Sequence, residues 1–144
     1  MDKRKPAPLI GGYGSTSGTR ERAARSVMEP VMAFGLAAEI ERLRGEHEWA
    51  DGDRNSVTLA KEVDFRVLLS VLRGGARLSE DDGDARVSIH VIDGVVRLDA
   101  AGTQPQLTAG ALAVIDAGRR WQLTATGDSA VLLTFAWPRE KAGV

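Results

Sequence analysis

"VIDAGRRWQLTA" (residues 114–125) reads as a β-strand, a sharp turn and a second β-strand, with a bulky Trp121 following two arginines where the second strand re-enters the apolar layer. Working outward, the same period of two runs through the chain from Ser56 onward. The segments "SVTLAKE", "DFRVLLSVLRG", "RVSIHVIDG", "VVRLDA", "QPQLTAG", "ALAVIDAG", "WQLTATG" and "SAVLLTFAW" are short, rich in β-branched residues and separated by Gly or Asp turns. Short strands at this regular spacing predict an all-β sandwich or barrel. "RLDAAGTQPQL" predicts a hairpin around Ala101-Gly102, and "DGV" at 93–95 a tight corner within a continuous strand pair.

Alternation also assigns faces. In "SAVLLTFAW", Val131, Leu133, Phe135 and Trp137 share one face, and Leu132, Thr134 and Ala136 the other. In "RVSIHVIDG", Val87, Ile89 and Val91 oppose Ser88, His90 and Ile92. Both second faces are less polar than solvent favours, so the outer side of the sheet is expected to be covered, by a helix or by another subunit.

Before the strands, "MAFGLAAEIERLRGEHEWADG" carries a helical period. Ala33, Leu36, Ala37, Ile40, Leu43 and His47 fall on one face, with Glu39, Glu41, Arg42, Arg44 and Glu46 largely on the other, and Gly52 as a stop. Residues 1–26 are rich in Gly, Ser, Thr, Pro and charge and predict a disordered, locally basic tail. The expected organisation is a tail over 1–26, a helical segment over 27–51, a barrel over 52–138 and a C-terminal tail over 139–144.

Composition narrows the function classes. The 144 residues suffice for one domain, and 43% hydrophobic with 27% charged content is that of an ordinary globular protein. A formal net charge of −1 gives no global field toward nucleic acid or a membrane surface. Cysteine is absent, which removes disulfides, thiolate nucleophiles and zinc–sulfur sites. No apolar run approaches the roughly 18 residues of a membrane span. "PAPLIGGYGSTSG" interrupts any signal-peptide core after "MDKRK", so the cytoplasm is the expected compartment.

Two gapped segments resemble the paired motifs of the cupin superfamily, small jelly-roll β-barrels. "GARLSEDDGDARVSIHVIDG", from Gly75 to Gly94, has the length, end glycines and strand pattern of the first motif. "GALAVIDAGRRW" has Gly110 and Gly118 of the second, with Asp116 at its proline position. The resemblance implies a single cupin-like jelly-roll barrel behind an N-terminal helix. It also implies where a metal would sit, and there the residues depart from the pattern. Asp81 and Gly83 stand at the two histidines of the first motif, Val87 at its glutamate, and Trp121 at the histidine of the second. A first-row metal wants converging imidazoles and a carboxylate, and Asp81 without such partners does not hold one against water. The expectation is a cofactor-free, metal-free barrel in which the Trp121 indole takes the volume of the metal site.

Other constellations are weaker. His47 reads as a helix residue at a partly buried edge. His90 should point away from the barrel interior, as a structural residue or at a subunit contact. "SEDDGD" at 79–84 lacks the spacing of an EF-hand and reads as a solvated acidic turn. Arg119 and Arg120 either pair with that loop or clamp an anion beside Trp121. No phosphate loop and no nucleophile-elbow motif occurs. The candidate pocket is therefore Val87, Ile89, Trp121, Leu123 and Leu133, with Asp81 and Arg120 at its mouth. The expected protein is a homodimeric, non-catalytic module that binds a small organic ligand or a protein partner, with nucleic acid and membrane not expected. The alternatives are a solid core without a ligand, and a divergent cupin enzyme of the metal-dependent oxygenase or isomerase type.

Overall fold

The computed structural model describes residues 8–10, 30–80 and 83–138. In chain order its elements are β1 (Pro8–Ile10), β2 (Ala33–Phe34), α1 (Leu36–Arg44), α2 (His47–Asp51), β3 (Arg54–Glu62), β4 (Phe65–Leu72) and β5 (Arg77–Glu80). They continue with β6 (Arg86–Asp93), β7 (Val95–Ala100), β8 (Gln106–Thr108), β9 (Leu112–Ile115), β10 (Trp121–Ala125) and β11 (Ser129–Ala136). A five-stranded antiparallel sheet, β3-β4-β11-β6-β9, faces a four-stranded antiparallel sheet, β5-β10-β7-β8, and the chain crosses between them repeatedly, as in a jelly roll.

Alternation builds the core between the sheets. Val87, Ile89 and Val91 of β6 and Val131, Leu133 and Phe135 of β11 meet Leu98, Trp121 and Leu123 from the opposite sheet in one buried cluster. Register locks this layer: Leu133 lies between Ile89 and Leu68, and Leu123 between Leu78 and Leu98. Each such side chain contributes about 1.5–3 kcal/mol by leaving water.

A second apolar layer lies outside the five-stranded sheet. Ile40 and Leu43 of α1 and Trp49 of α2 pack on Val57, Leu59, Leu69, Val71 and Ala130. Two arginines flank Trp49, with guanidinium carbons 5.6 Å (Arg44) and 4.1 Å (Arg73) from its ring, and Arg73 donates to the Trp49 carbonyl at 2.9 and 3.3 Å. Fully buried Asn55 ties the layer to β3. Its Nδ2 donates to the Leu43 carbonyl at 3.0 Å and to Glu46 Oε1 at 2.9 Å, and its Oδ1 accepts from the Ser56 N–H at 3.0 Å. The protein's own helices thus cover the outer face of β3, β4 and β11 around Val57, Leu69, Val71 and Ala130, and leave Phe65 at the start of β4 exposed.

Several expectations need correction. The single helix is two, broken at Gly45, whose N–H closes the last turn on the carbonyls of Glu41 and Arg42. Ala33 lies in a strand, Ala37 and His47 are exposed, and Glu39 is buried. With α1 starting only at Leu36, the anchors Leu36, Ile40 and Leu43 set its phase, and the buried stripe includes Glu39 beside Ile40. Within the segment expected to be disordered, Pro8–Ile10 pair with Ala33–Phe34. The rest of that segment and residues 139–144 lie outside the described residues.

The corner at 93–95 joins two sheets rather than one continuous pair: β6 pairs with β11 and β9, whereas β7 pairs with β10 and β8. Gly94 makes the crossing at φ 87°, where a Cβ would lie 2.3 Å from Ser129 Oγ and 2.4 Å from the Asp128 carbonyl. The hairpin at Ala101-Gly102 forms as expected, with φ of 53° and 79° and reciprocal backbone bonds between Ala100 and Thr103.

Candidate functional site at the mouth of the barrel

Between the sheets a cavity of about 170 Å³ opens to the surface. Leu68 of β4, Leu78 of β5 and Leu133 of β11 give it an apolar lining, with the rings of Trp121 and Phe135 as further walls. Thr58, Ser79 and Arg66 bring the polar groups. Arg66 reaches the interior because β4 alternates: it shares a face with Leu68, and pairs across the sheet with Phe135 as Leu68 does with Leu133. The guanidinium carbon lies 4.7 Å from the Phe135 ring centre and 5.4 Å from that of Trp137. Those two rings stack with centres 6.0 Å apart and planes 18° from parallel.

Loops hold Trp121 in place at the start of β10. The Gly118 N–H donates to the Gly83 carbonyl, joining the turn before β10 to the residues before β6. On the same turn, Asp116 Oδ1 accepts from the Ala117 N–H and from Arg86 Nε, each at 2.9 Å. These contacts, the backbone N–H first and the guanidinium second, hold its carboxyl below the ordinary carboxylate range.

Of the residues singled out in the sequence, Trp121 and Leu133 line the cavity. Val87, Ile89 and Leu123 are packed in the core, the barrel being filled at their level. Arg120 is exposed and is not among the lining residues, and neither is Arg119. Asp81 lies outside the described residues. Sequence reasoning missed Arg66, and the cause is visible in "DFRVLLSVL". Phe65, Val67, Leu69 and Val71 form the more apolar alternate set, so periodicity by itself turns Arg66 toward solvent. In the fold the helices take that set's side, and the set with Arg66 faces the barrel.

The residues do not fit the metal that the fold implies. Among the described residues no group of three or more His, Cys, Asp or Glu converges on a point. At the positions that the sequence resemblance assigns to ligands, the Val87 and Trp121 side chains carry no donor for a cation and Gly83 has no side chain. His47 is exposed on α2, and His90 lies on the outer sheet face between Leu132 and Leu112. Among the described residues that line the cavity, none is His, Asp, Glu, Cys or Lys.

No protein-family model matches the sequence, and no curated protein does. Solved structures match its fold. A conserved protein of unknown function from Streptococcus pyogenes superposes with a TM-score of 0.63 over 83% of this chain and 98% of its own, at 16% identity. The cupin domain of Cnp3 from Schizosaccharomyces pombe does so at 0.57 over 61% of this chain and 67% of its own, at 14% identity. A cupin superfamily protein from Desulfitobacterium hafniense also reaches 0.57, over 59% of this chain and 78% of its own, at 14% identity. With two antiparallel sheets closed around one core, and with these structures as its likenesses, the chain has the cupin fold.

Proposed function

We propose that the protein binds a small organic molecule at the barrel mouth, without a metal and without converting it. One observation carries this reading: the cavity is walled by leucines and two aromatic rings, and none of its described lining residues is a general base or offers an imidazole, carboxylate or thiolate to a metal ion. Arginine stays protonated and is no general base. The volume suits a ligand of about one ring, since an apolar void of roughly 150 Å³ takes up benzene. A fragment screen followed by NMR tests the reading. Ligands should shift the Trp121 indole signal and leave that of Trp49, under the helices, unmoved. If no fragment perturbs Trp121, the cavity does not serve as a binding site. Elemental analysis of the purified protein should show no stoichiometric metal. Iron, manganese, nickel or zinc at one equivalent would overturn the reading in favour of a divergent enzyme.

A homodimer fits a second observation. The helices leave the outer face of the edge strand β9 uncovered, and there Leu112 and Val114 are 62% and 68% exposed. β9 is an edge strand of sequence "LAVI" with no charge or proline to discourage pairing, and the adjacent Arg86 and Asp116 neutralise each other. A second copy supplies the same uncharged edge, as a two-fold contact requires. Sedimentation should give a dimer that Val114→Glu separates. A monomeric wild type would eliminate this arrangement.

A further inference from the structure

Resting on the dimer reading, we propose that β9 pairs antiparallel with β9 of a second copy about a two-fold axis at Ala113, joining two five-stranded sheets into one. Hydrogen bonds at the head of the strand set which backbone groups are open. The Val91 N–H donates to the Ala111 carbonyl at 3.0 Å, and the Gly110 N–H donates to the Val91 carbonyl at 2.8 Å, with Gly110 at φ 92°. Residues 91 and 111 are therefore a hydrogen-bonded pair beside a glycine bulge. Alternation from there makes hydrogen-bonded pairs of Ile89 with Ala113 and of Val87 with Ile115. The N–H and C=O of Leu112 and Val114 are thereby turned away from β6, toward the open edge of the sheet.

The side chains then choose the register. A strand that meets its own copy about a two-fold axis keeps outer residues opposite outer ones when it centres on Leu112, Ala113 or Val114. Centred on Val114, it sets Leu112 against the Asp116 carboxylate of the partner subunit. Centred on Leu112, it sets Val114 against a glycine, Gly110 of the partner subunit. Only the centre at Ala113 sets Leu112 against Val114 of the partner subunit, and the reverse, with Asp116 opposite Gly110, where there is no side chain to bury the charge. Each Leu112–Val114 pair then exchanges both of its hydrogen bonds, so every open-edge group of these two residues is satisfied. Arg86 and Asp116 pair at the end of the strand and leave no net charge there for an ionic partner, whereas a second copy brings the same neutral edge.

The chain has no cysteine, so introduced thiols report the register. Leu112→Cys and Val114→Cys, both at exposed positions, are oxidised with oxidised glutathione, separately and as a mixture, and the products are identified by intact mass. The register places the Cα atoms of the mixed pair about 5.5 Å apart, within reach of a disulfide. Each variant alone is two residues out of register with its own copy, at about 7–8 Å, which a disulfide does not span. The mixture should give at least about fivefold more covalent dimer than either variant alone. Circular dichroism checks that both variants fold, and sedimentation of the wild type reads the dimer without any variant. Cross-linking of either variant alone at the level of the mixture moves the axis and overturns the Ala113 register, while the dimer stands. A wild-type dimer with no cross-link in any combination overturns the pairing of β9 and assigns the contact to another surface. A monomeric wild type overturns this inference together with the dimer reading.

Discussion

Arg66 and Phe135 face each other across β4 and β11, with the guanidinium carbon 4.7 Å from the centre of the ring. The contact places a positive charge on the inner side of the sheet, beside Phe135 on β11 and opposite Lys61 on β3. A double-mutant cycle with Arg66→Gln and Phe135→Leu should give a coupling of about 0.5–2 kcal/mol in unfolding free energy. The leucine keeps most of the core volume, so the cycle isolates the ring–cation contact. Strict additivity of the two changes would show that the stacking contributes nothing to stability.

Asn55 is the polar joint between the helices and the barrel. Replacing it with alanine leaves the Leu43 carbonyl and the Ser56 N–H without the bonds it makes in a fully buried position. Loss of about 1–3 kcal/mol is expected in urea unfolding. A change under 0.5 kcal/mol, on the order of an ordinary surface substitution, would mean that water replaces the side chain.

Backbone conformation makes two predictions of opposite sign. Gly94→Ala should cost more than about 2 kcal/mol, because a Cβ at φ 87° would run into Asp128 backbone 2.4 Å away. Ala101→Asn should raise stability by about 0.5–1 kcal/mol, since the first residue of this hairpin turn sits at φ 53°, where asparagine is tolerated better than alanine. Thermal unfolding of the two variants beside wild type reads both.

Acid should weaken the turn before Trp121. The Asp116 carboxyl titrates below its ordinary value because of the Ala117 N–H first and Arg86 second. A carboxylate depressed on folding stabilises above its unfolded-state pKa, and that contribution disappears as pH falls through the lower folded value. Asp116→Asn should therefore flatten part of the acid limb of the stability profile. Arg86→Ala should move the Asp116 titration, followed by carboxyl NMR, only part of the way back. Full return to the ordinary value would reverse the order of the two causes.

The barrel was legible because strand periodicity and Gly turns are local. β7 begins and ends where "VVRLDA" does, and the hairpin at Ala101-Gly102 lies where its turn residues put it. The short β5 was not read, since "RLSE" merges with the acidic run that follows it. The break at Gly45 was hidden because the three- and four-residue repeat continues across it from Leu43 to His47. Of the site, the reading found Trp121 and Leu133 but not Arg66.

What the sequence by itself determined is the set of alternating strands and their turns, with an indole at the start of β10. Which face of β4 looks inward was decided only by the tertiary structure. Both faces of that strand are apolar enough to be buried, and one strand carries no information about which layer will cover which side. The helices took the face of Val67, Leu69 and Val71, and that choice turned Arg66 into the barrel.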